Sequence, residues 1–304
     1  MNASTPAGAP APALNAATLV RATRAYSLPA AVIPVLLGTA LAARGYAFPG
    51  HAAFHGLSFA LTLVGALLAQ SGANVLNDYF DFVKGVDTRP EHGSGVVTGG
   101  LMTPRQTLIY GCLLMAGAAV CGLALTAGHA AVVVPLALIG LGCAVLYPTF
   151  LKQYALGDLL IILAFGVGLT VGAYGVQVGS LSRPQWLLVS LYALPVSLLV
   201  DGILHANNLR DAPDDRAAHV RTLATLLPPR GARSLLWFLL FGPVLFVALG
   251  VASGLLPLWS LATLLAVPLL IRAYKTGDVP GTAQTHLVFG ILYAASLLFK
   301  PVFV

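Results

Sequence analysis

Charge is what this chain lacks. Of its 304 residues only 9% are Asp, Glu, Lys or Arg, while 58% are hydrophobic, and its mean hydropathy is +0.87. Soluble domains carry about 25% charged residues, so a soluble globular protein is excluded and an integral membrane protein is expected. Cysteine is also scarce. Cys112, Cys121 and Cys143 lie in apolar stretches without CxxC spacing, which argues against a disulfide framework or zinc site and leaves small buried packing residues. The formal charge of +6 comes without a basic stripe or aromatic-interleaved patch, so nothing points to nucleic acid. The stretch MNASTPAGAPAPALNAATLV has no charge before Arg21 and lacks the basic start of a signal peptide. It reads as a disordered tail over 1–20, ahead of a single membrane domain over 21–304.

Long apolar runs are what the chain does have. About 18 to 25 apolar residues suffice to cross the hydrocarbon core as a helix. About nine runs qualify, at 28–43, 56–76, 106–127, 130–151, 157–179, 185–207, 234–254, 256–273 and 284–303. The expected fold is all-α and polytopic, with frequent Gly where helices approach closely. With the N-terminus in the cytoplasm, inside segments hold 13 of the 16 Lys and Arg, and outside segments only Arg44, Arg183 and Lys300. This asymmetry sets the orientation.

Seven of the ten acids are gathered in two clusters on one side, and none of the ten sits in an expected outside loop. Asp78, Asp81, Asp87 and Glu91 follow the second run, in NVLNDYFDFVKGVD and beyond, and Asp211, Asp214 and Asp215 follow the sixth, in NNLRDAPDDRAAHVR. Asn74, Asp78 and Asp81 step by four and then three, which stacks them on one helical face. Gly85 ends that helix or turns the chain and places Asp87 in the loop. Asn207 or Asn208 shares a face with Asp211, and Pro213 interrupts any regular helix, so Asp215 is expected in a new turn. Carboxylates packed together repel and raise one another's pKa unless a hard cation joins them. Mg²⁺ takes oxygen ligands and is commonly held by few carboxylates plus substrate phosphates. Lys84, Arg210, Arg216 and Arg221 would meet the remaining phosphate charge. The spacing therefore points to a Mg²⁺–diphosphate at the cytoplasmic mouth of a helical bundle. The bland alternative is a pair of solvated acidic loops, and two loops of one pattern on one side argue against it.

These residues carry a resemblance. RATRAYSLPAAVIPVLLGTALA, NVLNDYFDFVKGVD, the loop ending GLMTP, YALGDLLIILAFGVGLTVGAYGVQVG and NNLRDAPDDRAAHVRTLA resemble the UbiA superfamily of intramembrane prenyltransferases. Within it, NNLRD is similar to the 1,4-dihydroxy-2-naphthoate polyprenyltransferase branch of menaquinone biosynthesis. The chain departs from the family at Tyr26, Pro213 and His219-Val220, where a lysine expected near the phosphates is absent. The resemblance implies a nine-helix bundle around a central cavity in the cytoplasmic (inner) membrane. It implies Mg²⁺ held by Asn74, Asp78 and Asp81 on one side and Asn208, Asp211 and Asp215 on the other. Lys84, Arg210 and Arg221 would complete neutralisation of the prenyl diphosphate, and Arg24 would bind that diphosphate or the acceptor's carboxylate, or merely anchor the topology. The partners implied are a polyprenyl diphosphate, an aromatic acid and the lipid bilayer; for dihydroxynaphthoate, transfer releases diphosphate and CO2 and gives demethylmenaquinone.

Asp158 opens the fifth run, where an ionisable group is costly and often functional. It either positions or deprotonates the acceptor or serves as a helix N-terminal charge. Asp201 and His205 are one turn apart and read as a buried pair or a catalytic one. Tyr147, Tyr154 and Tyr174 line the cavity or anchor the interface. The rival class is a transporter or channel, whose acids would lie near the bilayer midplane rather than at one mouth.

Overall fold

The computed structural model describes residues 14–45, 53–85, 93–149, 154–217 and 220–299, with only the backbone for 141–149. Every regular element among them is helical. Among the described residues seven helices are long and apolar enough to cross a membrane, so the chain is a multi-pass membrane protein.

The elements are α1 (Ala16–Ala22), a 3-10 turn (Ala25–Ser27), α2 (Pro29–Arg44), α3 (Gly56–Val83) and α4 (Pro104–Thr149). They continue with α5 (Gly157–Ile161), a π-helical stretch (Ile162–Gly168), α6 (Leu169–Val178), α7 (Arg183–Ala217) and α8 (Leu223–Leu226). The last are α9 (Pro229–Ala252), a 3-10 stretch (Leu258–Ala266), α10 (Val267–Thr276) and α11 (Val279–Ser296). The short α1 falls partly inside the stretch read as tail. Asn15 explains it, because its side chain caps the helix by accepting from Thr18 N at 2.8 Å.

The count of seven reconciles with about nine crossings. At about 1.5 Å per residue, α4 reaches about twice the ~30 Å of hydrocarbon. Its helix breaks at His129, where φ is −135° and ψ 30°, so it holds two of the expected runs. The other is α11, whose first half carries Thr282, Thr285 and His286; all three are fully buried, so their polarity faces protein rather than lipid. Cys121 is buried as expected, but Cys112 is exposed, on a helix surface that the apolar run alone could not orient. Cys143 lies where side chains are not described.

The described residues form two compact units. The smaller comprises residues through 28 and 67–120. Its core joins Ala22 of α1, Val75 of α3 and Val96, Val97 and Met102 of the connection before α4. The larger comprises 29–66 and 121 onward. There α2 packs against α6, α7 against α9 and the π-helical stretch, and α11 against α2 and α7. Its core runs through Ile33, Leu37, Val171, Leu199, Leu240 and Phe289. Glycines set the closest approaches. A Cβ on Gly38 would lie 2.2 Å from Thr170 O, and one on Gly290 2.2 Å from Ile33 Cγ2, so side chains larger than hydrogen are excluded there.

Candidate active site

The first acidic cluster closes α3. Asn74, Asp78 and Asp81 rise along one face as their spacing predicts; Asn74 and Asp78 are buried, Asp81 is half-buried and Lys84 is exposed. Gly85 turns the chain with φ +70°, and its N–H bonds Phe82 O at 3.0 Å. This is the left-handed stop expected of that glycine.

The residues that meet Asp78 come from two other segments of the same unit. Arg24 adopts left-handed backbone, φ 50° and ψ 56°, a conformation that costs a non-glycine residue about 1 to 3 kcal/mol. Its surroundings impose it. Ser27 N and Oγ both donate to Arg24 O, at 2.8 and 2.9 Å. Asn74 Nδ2 donates to Thr23 O at 2.8 Å and to Ser27 Oγ at 2.9 Å. A backbone carbonyl only accepts, so the amide nitrogen must face it, and the oxygen is the atom of Asn74 left for a cation. The turn so held delivers the Arg24 guanidinium to Asp78 Oδ1 as an ion pair. The Ser94 hydroxyl donates to Asp78 Oδ2, and the Ser94 N–H lies 3.3 Å from that oxygen. Ser94 sits in a connection where Gly93, Gly95 and Gly100 all have positive φ, and Arg21 Nε holds its carbonyl at 2.9 Å.

The second cluster closes α7 in the larger unit. Contrary to the expected break, α7 runs through Pro213 to Ala217. Pro213 is exposed and lies in the last turns, where a missing N–H removes one hydrogen bond from an end that water can reach. Asp211 and Asp215 therefore share a helical face. Arg210 grips Asp211 with two bonds, Nε to Oδ1 at 2.7 Å and Nη2 to Oδ2 at 2.8 Å. Asn207 completes the set, donating to Asp211 Oδ2 at 3.1 Å and accepting from Arg210 Nη2 at 2.9 Å. Asn208 stands half-buried outside that network. Arg216 Nη2 donates to Ala224 O at 3.1 Å and ties α7 to α8. Arg221 and Asp214 are exposed. Asp87, Glu91 and the side chain of Tyr147 lie outside the described residues.

The two helix ends thus share one construction: an amide, a carboxylate four residues on, and a guanidinium bonded to that carboxylate. One is Asn74, Asp78 and Arg24; the other is Asn207, Asp211 and Arg210. Among the described residues, no three acidic, histidine or cysteine side chains converge into a cage for a metal alone.

A third polar centre lies inside the larger unit. His205 pairs not with Asp201 but with Asp158, Nδ1 to Oδ1 at 3.3 Å, while its Nε2 meets Ala232 O at 2.8 Å. The carbonyl requires a proton on Nε2, so a proton must also lie between Nδ1 and Asp158. Asp158, Asp201 and His205 are all buried, and among the described residues Asp201 Oδ1 has no hydrogen-bond partner. Tyr174 is fully buried in the core rather than at an interface, and Tyr154 is 55% exposed.

Fold and motifs together define a class, the multi-pass α-helical membrane enzymes that transfer prenyl groups. The chain belongs to the UbiA prenyltransferase family, whose model matches residues 31–297, and it is a prenyltransferase. UbiA prenyltransferase domain-containing protein 1 of Homo sapiens is 33% identical over 94% of this chain and 84% of its own. The Drosophila melanogaster homologue is 36% identical over 92% of this chain and 79% of its own. Two solved structures share the fold. A UbiA homologue from Aeropyrum pernix K1 has a TM-score of 0.65 at 19% identity, covering 93% of this chain and 98% of that one. A UbiA homologue from Archaeoglobus fulgidus, bound to GPP and Mg²⁺, has a TM-score of 0.59 at 14% identity over 92% and 98%.

Proposed function

We propose that this prenyltransferase moves a polyprenyl group from its diphosphate to an aromatic acid, with Mg²⁺ as cofactor. The observation that carries the reading is the repeated amide, carboxylate and guanidinium set at the ends of α3 and α7. The donor atoms fit the metal. Carboxylate and amide oxygens are the ligands Mg²⁺ prefers, and two carboxylates without a full protein cage suit an ion that also takes phosphate oxygens. Asn74, Asp78 and Asp81 would hold it at one motif, and Asn208, Asp211 and Asp215 at the other, with Asn207 the better-placed amide beside Asp211. A Mg²⁺ held there would supply neutralisation of the charge on the leaving diphosphate.

The chain's own cations do the rest. Arg24 and Arg210 hold Asp78 and Asp211 oriented, and both guanidiniums can turn from carboxylate to phosphate when substrate arrives, since each presents several N–H donors. Lys84 and Arg221 are exposed beside the two motifs and add charge. The C–O bond to diphosphate breaks with its electron pair on the phosphate oxygen, and the ring carbon of the acceptor forms the new bond to the allylic carbon. A ring that carries a carboxyl at that carbon then loses CO2. The GPP-bound relative from Archaeoglobus fulgidus supports the donor class.

We take 1,4-dihydroxy-2-naphthoate as the first acceptor to test, on the strength of NNLRD; other aromatic or tetrapyrrole acceptors form the second reading. The asymmetry of Lys and Arg supports a cytoplasmic N-terminus and an active side facing the cytoplasm. The test is an acceptor panel given one prenyl diphosphate with and without Mg²⁺, with products identified by mass. A prenylated naphthoquinol formed only with Mg²⁺ supports the reading, and prenylation of another acceptor alone moves it to the second.

A further inference from the structure

The start of α9 and the end of α10 meet at a cationic face. Arg233 Nη2 donates to Tyr274 O at 3.2 Å, and its guanidinium lies 4.9 Å from the centroid of the Tyr274 ring. Arg230, Arg233, Arg272 and Lys275 are all exposed there. No described carboxylate forms an ion pair with any of them. Asp278, the acid beside them, is engaged by the Thr276 hydroxyl and Gly281 N–H.

Below these cations runs a ladder of rings. Trp237 follows Arg233 by one turn and Phe241 by two. Trp237 and Phe241 stack at 25° with centroids 5.4 Å apart, and Phe241 meets Tyr274 edge-on at 6.3 Å. At 1.5 Å per residue, Trp237 lies about 6 Å and Phe241 about 12 Å further along the helix than Arg233. The headgroup layer on each side of a bilayer is about 5 to 7 Å thick. With Arg233 at phosphate height, Trp237 falls at the edge of the hydrocarbon, where tryptophan is favoured, and Phe241 falls among acyl chains.

We propose that this face binds an anionic phospholipid, its phosphate on Arg233 within the field of Arg230, Arg272 and Lys275, and an acyl chain along Trp237 and Phe241. A topology signal needs only positive charge in water. It does not need a guanidinium held over a tyrosine, nor rings aligned beneath it. Four cations against the one Asp278 carboxylate, which faces Arg272, leave an excess of positive charge that selects a headgroup of net negative charge over a zwitterion, because the latter brings its own cation.

The chain has three tryptophans, so replacing Trp186 and Trp259 by Phe leaves Trp237 as the only emitter. The full-length protein is placed in phosphatidylcholine nanodiscs with the same small fraction of brominated phosphatidylglycerol or brominated phosphatidylcholine. The proposal expects Trp237 to be quenched more by the brominated phosphatidylglycerol, with roughly fivefold local enrichment for each cation engaged. Salt at about 0.5 M removes most of the excess, as screening requires. Arg233→Gln with Arg272→Gln abolishes it while prenyl transfer persists, which shows the variant folded. A protein keeping Trp259 alone, beyond the other end of α9, gives no excess. Equal quenching by the two lipids overturns the proposal and leaves a topology signal only. An excess that prenyl diphosphate removes at saturating concentration also overturns it, by assigning the face to substrate.

Discussion

Arg24, in left-handed backbone, forms a part-buried ion pair with Asp78 fifty-four residues later, with side-chain exposures of 16% and 5%. The strained turn, the Asn74 amide that holds it and the Ser94 hydroxyl opposite converge on one carboxylate. Asp78 is therefore oriented before any ligand arrives, and the cost of that order is borne by the local fold.

Removing Arg24 should destabilise the protein. Arg24→Ala leaves the Asp78 carboxylate buried with only Ser94 to solvate it, a loss of about 3 to 5 kcal/mol. Thermal unfolding in nanodiscs should show a large fall for Arg24→Ala, and the double variant with Asp78→Asn should recover part of it. A double variant no more stable than Arg24→Ala would mean that the pair is not what stabilises the turn.

His205 and Asp158 should be energetically coupled. The cycle of His205→Leu, Asp158→Asn and the double variant should give an interaction of about 0.5 to 3 kcal/mol, read from unfolding midpoints. The pair formed by Asp201 and His205 should give far less, although the two are one turn apart. Coupling in the reverse order would contradict the geometry at Ala232.

Two glycines should differ in how they can be rescued. Gly38→Ala drives a Cβ into the Thr170 backbone carbonyl, and Gly290→Ala drives one into the Ile33 side chain. Overpacking costs about 1 to 3 kcal/mol. Ile33→Ala should restore stability to Gly290→Ala, whereas no side-chain truncation at position 170 should help Gly38→Ala. Expression-normalised unfolding temperatures distinguish the two.

Asp278 gives a pH dependence outside the membrane. The Thr276 hydroxyl and Gly281 N–H hold its carboxyl below its ordinary 3.8. A depressed carboxyl contributes stability above its unfolded value, and that contribution fades as pH falls through the folded value. The cap is partly solvated, so Asp278→Ala should cost near the low end of about 0.5 to 2 kcal/mol at pH 7. The difference from the unaltered protein should shrink below about pH 4, as followed by chemical unfolding. A penalty unchanged down to pH 3 would contradict the cap.

Much of the fold was legible because membrane helices announce themselves by length and apolarity. The second run, read to residue 76, extends as helix to Val83, as the spacing of Asn74, Asp78 and Asp81 demanded. The misreadings have common causes. Pro213 breaks helices in water-soluble interiors, but near the exposed end of α7 it removes only one bond. His205 stands one turn from Asp201, whereas Ala232 of α9 turns the ring toward Asp158, a contact no spacing encodes. Arg24 and Ser94 meet Asp78 from distant positions; for Ser94 the one local hint is the glycine-rich GSGVVTGG, whose left-handed turns allow a backbone to fold back. Asn207 rather than Asn208 reaches Asp211 because side chains four apart on a helix meet more directly than the alternative three here.

The most direct test of prenyl transfer through the two motifs is Mg²⁺-dependent release of diphosphate by purified protein in nanodiscs, given a prenyl diphosphate and an aromatic acid. Asp78→Ala and Asp211→Ala should each reduce that release by at least about a hundredfold, since each removes a charged group from the leaving-group site. Diphosphate release unchanged in either folded variant would contradict the account.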